Sequence, residues 1–110
     1  MIIAIPTHDN KLAEHFGHCE NFSFYVIENN SILKEYFLAP PKHEPGILPV
    51  WLKENKVNLV IAGGMGDGAQ NLLKKDDIKF ILGVEAKSPK TVIADYLKGN
   101  LNSGTNLCDH

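Results

Sequence analysis

Apolar positions along this chain fall into short unbroken runs and one helically spaced stretch. The change of rhythm predicts the elements. Ile2–Pro6 is a brief apolar run and reads as a buried strand. Phe22–Glu28 and Ile32–Leu38 are aromatic and β-branched, which favours strands, and Asn29-Asn30 between them is a hairpin turn signal. Ala39-Pro40-Pro41 ends the second strand, because proline cannot donate to a ladder and restricts the residue before it. Pro45-Gly46 then precedes Ile47, Leu48, Trp51 and Leu52, whose spacing marks one face of an amphipathic helix running to about Lys56.

Asn58–Ala62 is a continuous apolar strand, followed by the turn Gly63-Gly64-Met65-Gly66-Asp67-Gly68 and a helix over Ala69–Lys75. Ile78–Leu82 is another apolar strand. Ser88-Pro89 supplies an N-cap and a first-turn proline for a helix over Lys90–Leu97, with Gly99 as its stop. Residues Leu12–Asn21 carry no periodicity and read as a loop or a single helical turn. The order β-β-β-α-β-α-β-α combines an antiparallel hairpin with parallel crossovers. It predicts an α/β domain over residues 1–99, with a mixed five-stranded sheet covered by helices. Residues 100–110 read as a flexible C-terminal tail.

Composition narrows the function classes. One domain is all that 110 residues predict, and 44% hydrophobic with 22% charged residues is ordinary for a globular protein, which argues against disorder. Net charge is −2 and the basic residues are dispersed, so a nucleic-acid footprint is weak. No apolar run approaches a membrane span, and the N-terminus enters its first strand without an export signal. The expected compartment is the cytoplasm, where cysteines stay reduced.

The chemistry is concentrated at two places. His15-Phe16-Gly17-His18-Cys19 and Cys108-Asp109-His110 hold both cysteines and three of the five histidines. Thiolate and imidazole are the ligands that soft and borderline metals prefer. On a helical turn His15 would share a face with His18 and with Cys19. In an extended tail Cys108 and His110 would project to one side. A disulfide between Cys19 and Cys108 is the alternative that an oxidising compartment would favour. His8, at the end of the first strand, stands where open α/β sheets bind ligands.

Gly64, Gly66 and Ala69 satisfy G-x-G-x-x-A between a strand and a helix, with Glu85 placed like a ribose-binding acid. A nucleotide- or anion-binding regulatory domain is therefore one alternative, and a mononuclear zinc protein another. The chain is too short to supply two mononucleotide-binding halves, but the turn offers N–H groups at a helix N-terminus. Met65 adds a thioether there. Catalytic constellations are lacking: no serine occupies a nucleophile elbow, and no carboxylate pair has a spacing that demands acid–base work. Only a thiol-redox role for Cys19 beside His18 stays open, and it requires a depressed thiol pKa.

The short first strand, the His15-Phe16-Gly17 loop entering the aromatic strand Phe22–Val26, and the turn Gly63-Gly64-Met65-Gly66 together resemble the dinitrogenase iron–molybdenum cofactor-binding and biosynthesis family. The resemblance spans nearly the whole chain, and the Cys108/His110 ending is similar to that of some small members. It implies a ribonuclease H-like three-layer α/β/α fold. It also implies a non-catalytic protein that binds, carries or inserts an iron–sulfur or iron–molybdenum-type cluster for a recipient or scaffold protein. The family histidine falls on His15 and the glycine turn on Gly63–Gly66. Oligomeric state is not readable, although a homodimer would protect an exposed cluster edge.

Overall fold

The computed structural model describes residues 1–17, 19–42, 44, 46–101, 103 and 104. His18, His43, Cys108 and His110 lie outside them. At the centre runs strand β1 (Ile2–His8), with β3 (Asn21–Glu28) antiparallel on one side and β5 (Leu59–Ile61) parallel on the other. Strand β4 (Ser31–Leu38) lies outside β3, and β6 (Lys79–Ile81) outside β5. The order is β4-β3-β1-β5-β6, and the mixed pairing expected from the chain is present.

The sheet has six strands rather than five. The extra one is β2 (Lys11–Leu12), folded back on the end of β1 with Thr7 opposite Leu12 and His8 opposite Lys11. Asp9 (φ 52°) and Asn10 (φ 62°) make that reversal, with the same left-handed backbone as Asn29 (φ 50°) and Asn30 (φ 62°) in the β3–β4 hairpin. Asp and Asn tolerate this region because their short side chains bond locally. A two-residue return strand carries too little alternation to be read from sequence.

Strand β1 also runs two residues past Pro6. The Ile2 N–H and C=O both meet Asn58 on the β5 side, so the two-residue period turns the Pro6 nitrogen to that side as well. The last pair with β5 is Ala4–Val60. The missing N–H of Pro6 therefore costs no bond to β5.

Alternation along the strands builds two cores, one on each face. Ala4, Phe22, Phe24 and Val60 point to the face covered by α1 (Ile47–Glu54) and α2 (Asp67–Lys75), where Leu48, Leu52 and Leu73 meet them. Ile3, Ile5, Tyr25, Leu59 and Ile61 point to the opposite face, against Val92 and Ile93 of α3 (Pro89–Leu97). This is the three-layer arrangement. Pro49 is tolerated in α1 because it falls in the first turn, where its N–H would have no intrahelical partner.

Helix α3 starts as expected. The Ser88 hydroxyl accepts the Thr91 N–H at 3.2 Å, and Pro89 occupies the first turn. Ser88→Ala is expected to cost about 1 kcal/mol, read as a small fall in thermal midpoint. An unchanged midpoint would mean that tertiary contacts alone hold the start of α3.

Candidate metallocluster site

Parallel neighbours β1 and β5 end at the same edge of the sheet, and the two sequence motifs meet there. No helical turn forms over residues 13–17. Instead the segment lies alongside the glycine turn, with His15 bridged to Gly64 in parallel fashion. The Phe16 N–H donates to the Gly64 carbonyl at 2.8 Å, and the Gly63 N–H donates to the Ala13 carbonyl at 3.3 Å. Phe16 is buried and sets its ring edge-on to Phe22, 6.0 Å between centroids. The loop is thus pinned at its backbone by the glycines and at its side chain by the core.

Gly63 and Gly64 are buried and have negative φ. Neither therefore needs glycine for handedness. The bracing continues outward: the Gly83 N–H donates to the Gly63 carbonyl at 2.7 Å, and the Gly104 N–H donates to the Gly83 carbonyl at 3.0 Å. Four segments distant in sequence are therefore laced together at one edge. Gly83, at φ +73°, requires glycine on its own account.

The pinned loop stands between two concavities. One, of about 400 Å³, is lined by Phe16, Gly17, Gly46, Leu48, Gly66 and Ala69, among others. Helices α1 and α2 both begin beside it, with Gly46 and Gly66 as N-caps and no side-chain cap on either. Both N-termini bring positive partial charge to this wall, although at α1 the Ile47 N–H is taken by the Glu44 carbonyl at 3.1 Å and Pro49 has none. The contribution of α1 was missed in the sequence, where Pro45-Gly46 gave only the helix start. The other concavity, of about 490 Å³, is lined by His8, Asp9, Leu12, Glu14, His15 and Ala86, with others.

The site residues expected from sequence are not all brought together. Gly63, Gly64 and His15 adjoin, and Gly66 opens onto the first concavity. His15 and His8 share the second. Met65 is 1% exposed and packs into the core under the turn, so its thioether belongs to the interior. Among the described residues, one group of three metal-ligating side chains lies close enough for a single ion: His8, Asp9 and Glu20, all exposed. His8 sits between the two carboxylates, Nδ1 3.5 Å from Glu20 Oε1 and Nε2 3.6 Å from Asp9 Oδ2. Sequence reasoning missed both acids, because only the antiparallel β1–β3 register, with Thr7 opposite Asn21, brings Glu20 beside His8; the Asp9 N–H donates to Glu20 Oε1 at 2.8 Å.

Cys19 is a free thiol, half-buried against the α1/α2 core. Burial pushes it up from 9.0 to about 11. A redox nucleophile needs the opposite shift, so the thiol-redox alternative loses its support. Cys19 is expected to react with alkylating reagents at neutral pH far more slowly than an exposed cysteine. A rate matching free cysteine would show the thiol to be open to solvent.

An α/β/α domain with a histidine loop laced to a glycine turn at the carboxyl edge of its sheet is the class defined so far. The chain belongs to the dinitrogenase iron-molybdenum cofactor family, whose model matches residues 1–99. It is 30% identical over 111 residues to the uncharacterized protein MJ0580 of Methanocaldococcus jannaschii, covering 92% of this chain and 89% of that one. Its fold is similar to the crystal structure of PH0822, with TM-score 0.89, 26% identity, and 97% and 99% of the two chains covered. It is also similar to the apo form of the orange protein from Desulfovibrio gigas, with TM-score 0.78, 16% identity, and 96% and 93% covered. A cofactor-related role follows from the family. No helix among the described residues is long and apolar enough to cross a membrane.

Proposed function

We propose that this protein binds and carries an iron–sulfur or iron–molybdenum-type cluster, as cargo for a recipient or scaffold protein, at the carboxyl edge of the sheet. The observation that carries this is the bridge between His15 and Gly64, which fixes the imidazole-bearing loop at this edge, with Gly17 in the concavity where α1 and α2 begin and His15 in the one it shares with His8. A cluster is anionic and its iron accepts nitrogen or sulfur donors. His15 would ligate iron from the concavity it shares with His8, on the other side of the loop from the α1 and α2 N-termini. Cys19 would join when metal displaces its thiol proton, as metal binding to thiols requires.

Cys108 and His110 enter as ligands closing from the tail. Gly104 is held beside Gly83, itself bonded to Gly63. The four residues from there to Cys108 span at most about 14 Å when extended. A ligand-bearing tail suits a carrier, because it can close on loading and open on transfer.

Anaerobic reconstitution with iron and sulfide tests the proposal. Wild-type protein is expected to give charge-transfer absorption that His15→Ala largely removes. A featureless wild-type spectrum would overturn cluster binding. Metal analysis of anaerobically purified protein separates a cluster from a mononuclear zinc site. A nucleotide or anion at the uncapped Gly66 end of α2 is the second reading, favoured by that open N-cap alone. Stabilisation by a dinucleotide and not by metal would support it.

A further inference from the structure

The reversal after β1 carries a second metal-ligating group, apart from the cysteines and from the His15–Gly64 bridge. His8 ends β1, Asp9 makes the turn toward β2, and Glu20 immediately precedes β3. One ligand atom from each lies within 4.8 Å of the other two, and all three residues are exposed.

Exposed carboxylates gather often without an ion, so two acids alone would mean little. The imidazole between them singles this group out. Its Nδ1 stands 3.5 Å from Glu20 Oε1 and its Nε2 3.6 Å from Asp9 Oδ2. An N–H···O bond runs about 2.7–3.2 Å, so the ring is hydrogen-bonded to neither acid. Nitrogen and oxygen atoms bound to one ion at about 2.0–2.2 Å stand about 3.0–3.6 Å from their neighbours. The gap between His8 and Glu20 already has that spacing, and the Asp9 side chain, 84% exposed, has room to turn onto the same point.

Glu20 is held ready. Its N–H donates to the Thr7 carbonyl at 2.8 Å, and its Oε1 accepts the Asp9 N–H at 2.8 Å. That second bond takes one lone pair and leaves the rest of the carboxylate open.

The donor set selects the ion. A metal-bound imidazole is neutral, so the two carboxylates supply two negative charges, a match for a divalent cation. Magnesium and calcium take oxygen ligands, which leaves the imidazole without a use, and the lack of sulfur disfavours the softest ions. A first-row divalent ion of the ferrous or manganous kind fits one nitrogen and two oxygens, with water in its other positions.

We propose that His8, Asp9 and Glu20 bind one such ion, as a mononuclear site at the rim of the concavity that His8 and Asp9 line together with His15. Neither His15 nor a cysteine belongs to the group. The site therefore stands or falls apart from the cluster proposal.

Titration of the full chain with Mn²⁺, followed by loss of the free-ion paramagnetic resonance signal, tests it. Mn²⁺ prefers oxygen and nitrogen donors, so it does not report the cysteines. Wild type is expected to show one saturable site, and His8→Ala and Glu20→Gln each to weaken it by about tenfold or more. Glu20→Gln keeps a carbonyl oxygen for the Asp9 N–H, so its thermal midpoint should match that of wild type. Mg²⁺ in roughly hundredfold excess should leave most of the Mn²⁺ bound. No saturable binding to wild type, undiminished binding in both variants, or complete displacement by Mg²⁺ would overturn the proposal. Cluster absorption after reconstitution should persist in Glu20→Gln, and its loss there would overturn the separateness of the two sites.

Discussion

Phe16→Ala is expected to lower stability by about 3–5 kcal/mol, the usual cost of truncating a buried phenylalanine. Phe16 is 3% exposed and touches the ring of Phe22, which in turn packs on Phe24 and Trp51 with centroids 6.2 and 5.3 Å away. Each such ring pair adds about 0.5–1.5 kcal/mol beyond area burial. In a domain of this size the loss corresponds to a fall in thermal midpoint of roughly 10 °C or more. The functional consequence is larger than the thermal one. The Phe16 ring is the anchor that keeps its backbone N–H on Gly64, and His15 rides on that bond. Reconstituted cluster absorption should fall in Phe16→Ala even at temperatures where the variant stays folded. A variant that melts early but loads normally would show that the loop is held by its backbone bonds alone.

The second large effect is expected at Gly83. A Cβ there would meet the Gly104 carbonyl carbon at 2.2 Å, and φ is +73°. Gly83→Ala pays for the left-handed backbone, about 1–2 kcal/mol, and cannot keep Gly104 where it is. Together with the lost Gly104–Gly83 hydrogen bond the cost is about 2–3 kcal/mol. Gly99 is the control, because it has nearly the same φ of +75° but nothing within 4 Å of an added Cβ. Gly99→Ala should show the backbone cost alone, and the excess at Gly83 measures the docking of the C-terminal segment. Thermal melts give the first quantity, and limited proteolysis should show earlier cleavage after residue 100 in Gly83→Ala only. Equal melting and equal cleavage in the two variants would mean that the docked segment contributes nothing.

These predictions show where sequence reading reached and where it stopped. Local signals were sufficient for most elements. Asn29-Asn30 specifies a tight hairpin because both residues tolerate left-handed backbone, and Ser88-Pro89 specifies a helix start because one accepts an orphan N–H and the other lacks one. The Asp9-Asn10 reversal uses the same physics as Asn29-Asn30, yet its return strand is two residues long, too short for a hydrophobic pattern to announce it.

The sequence by itself determined the α/β class, the order of the long elements and the family, because each rests on local propensity or on motifs contiguous in the chain. Tertiary structure alone decided what faces what. Met65, adjacent to the glycines in sequence, turns into the core, while Glu20 comes beside His8 across the β1–β3 connection. His15 meets Gly64 although 49 positions of chain separate them, since parallel strands β1 and β5 end at one edge. Tyr25 and Glu35 become a donor–acceptor pair only through the hairpin register. Contacts of this kind depend on how distant segments close on one another, and no local pattern of residues encodes that closure.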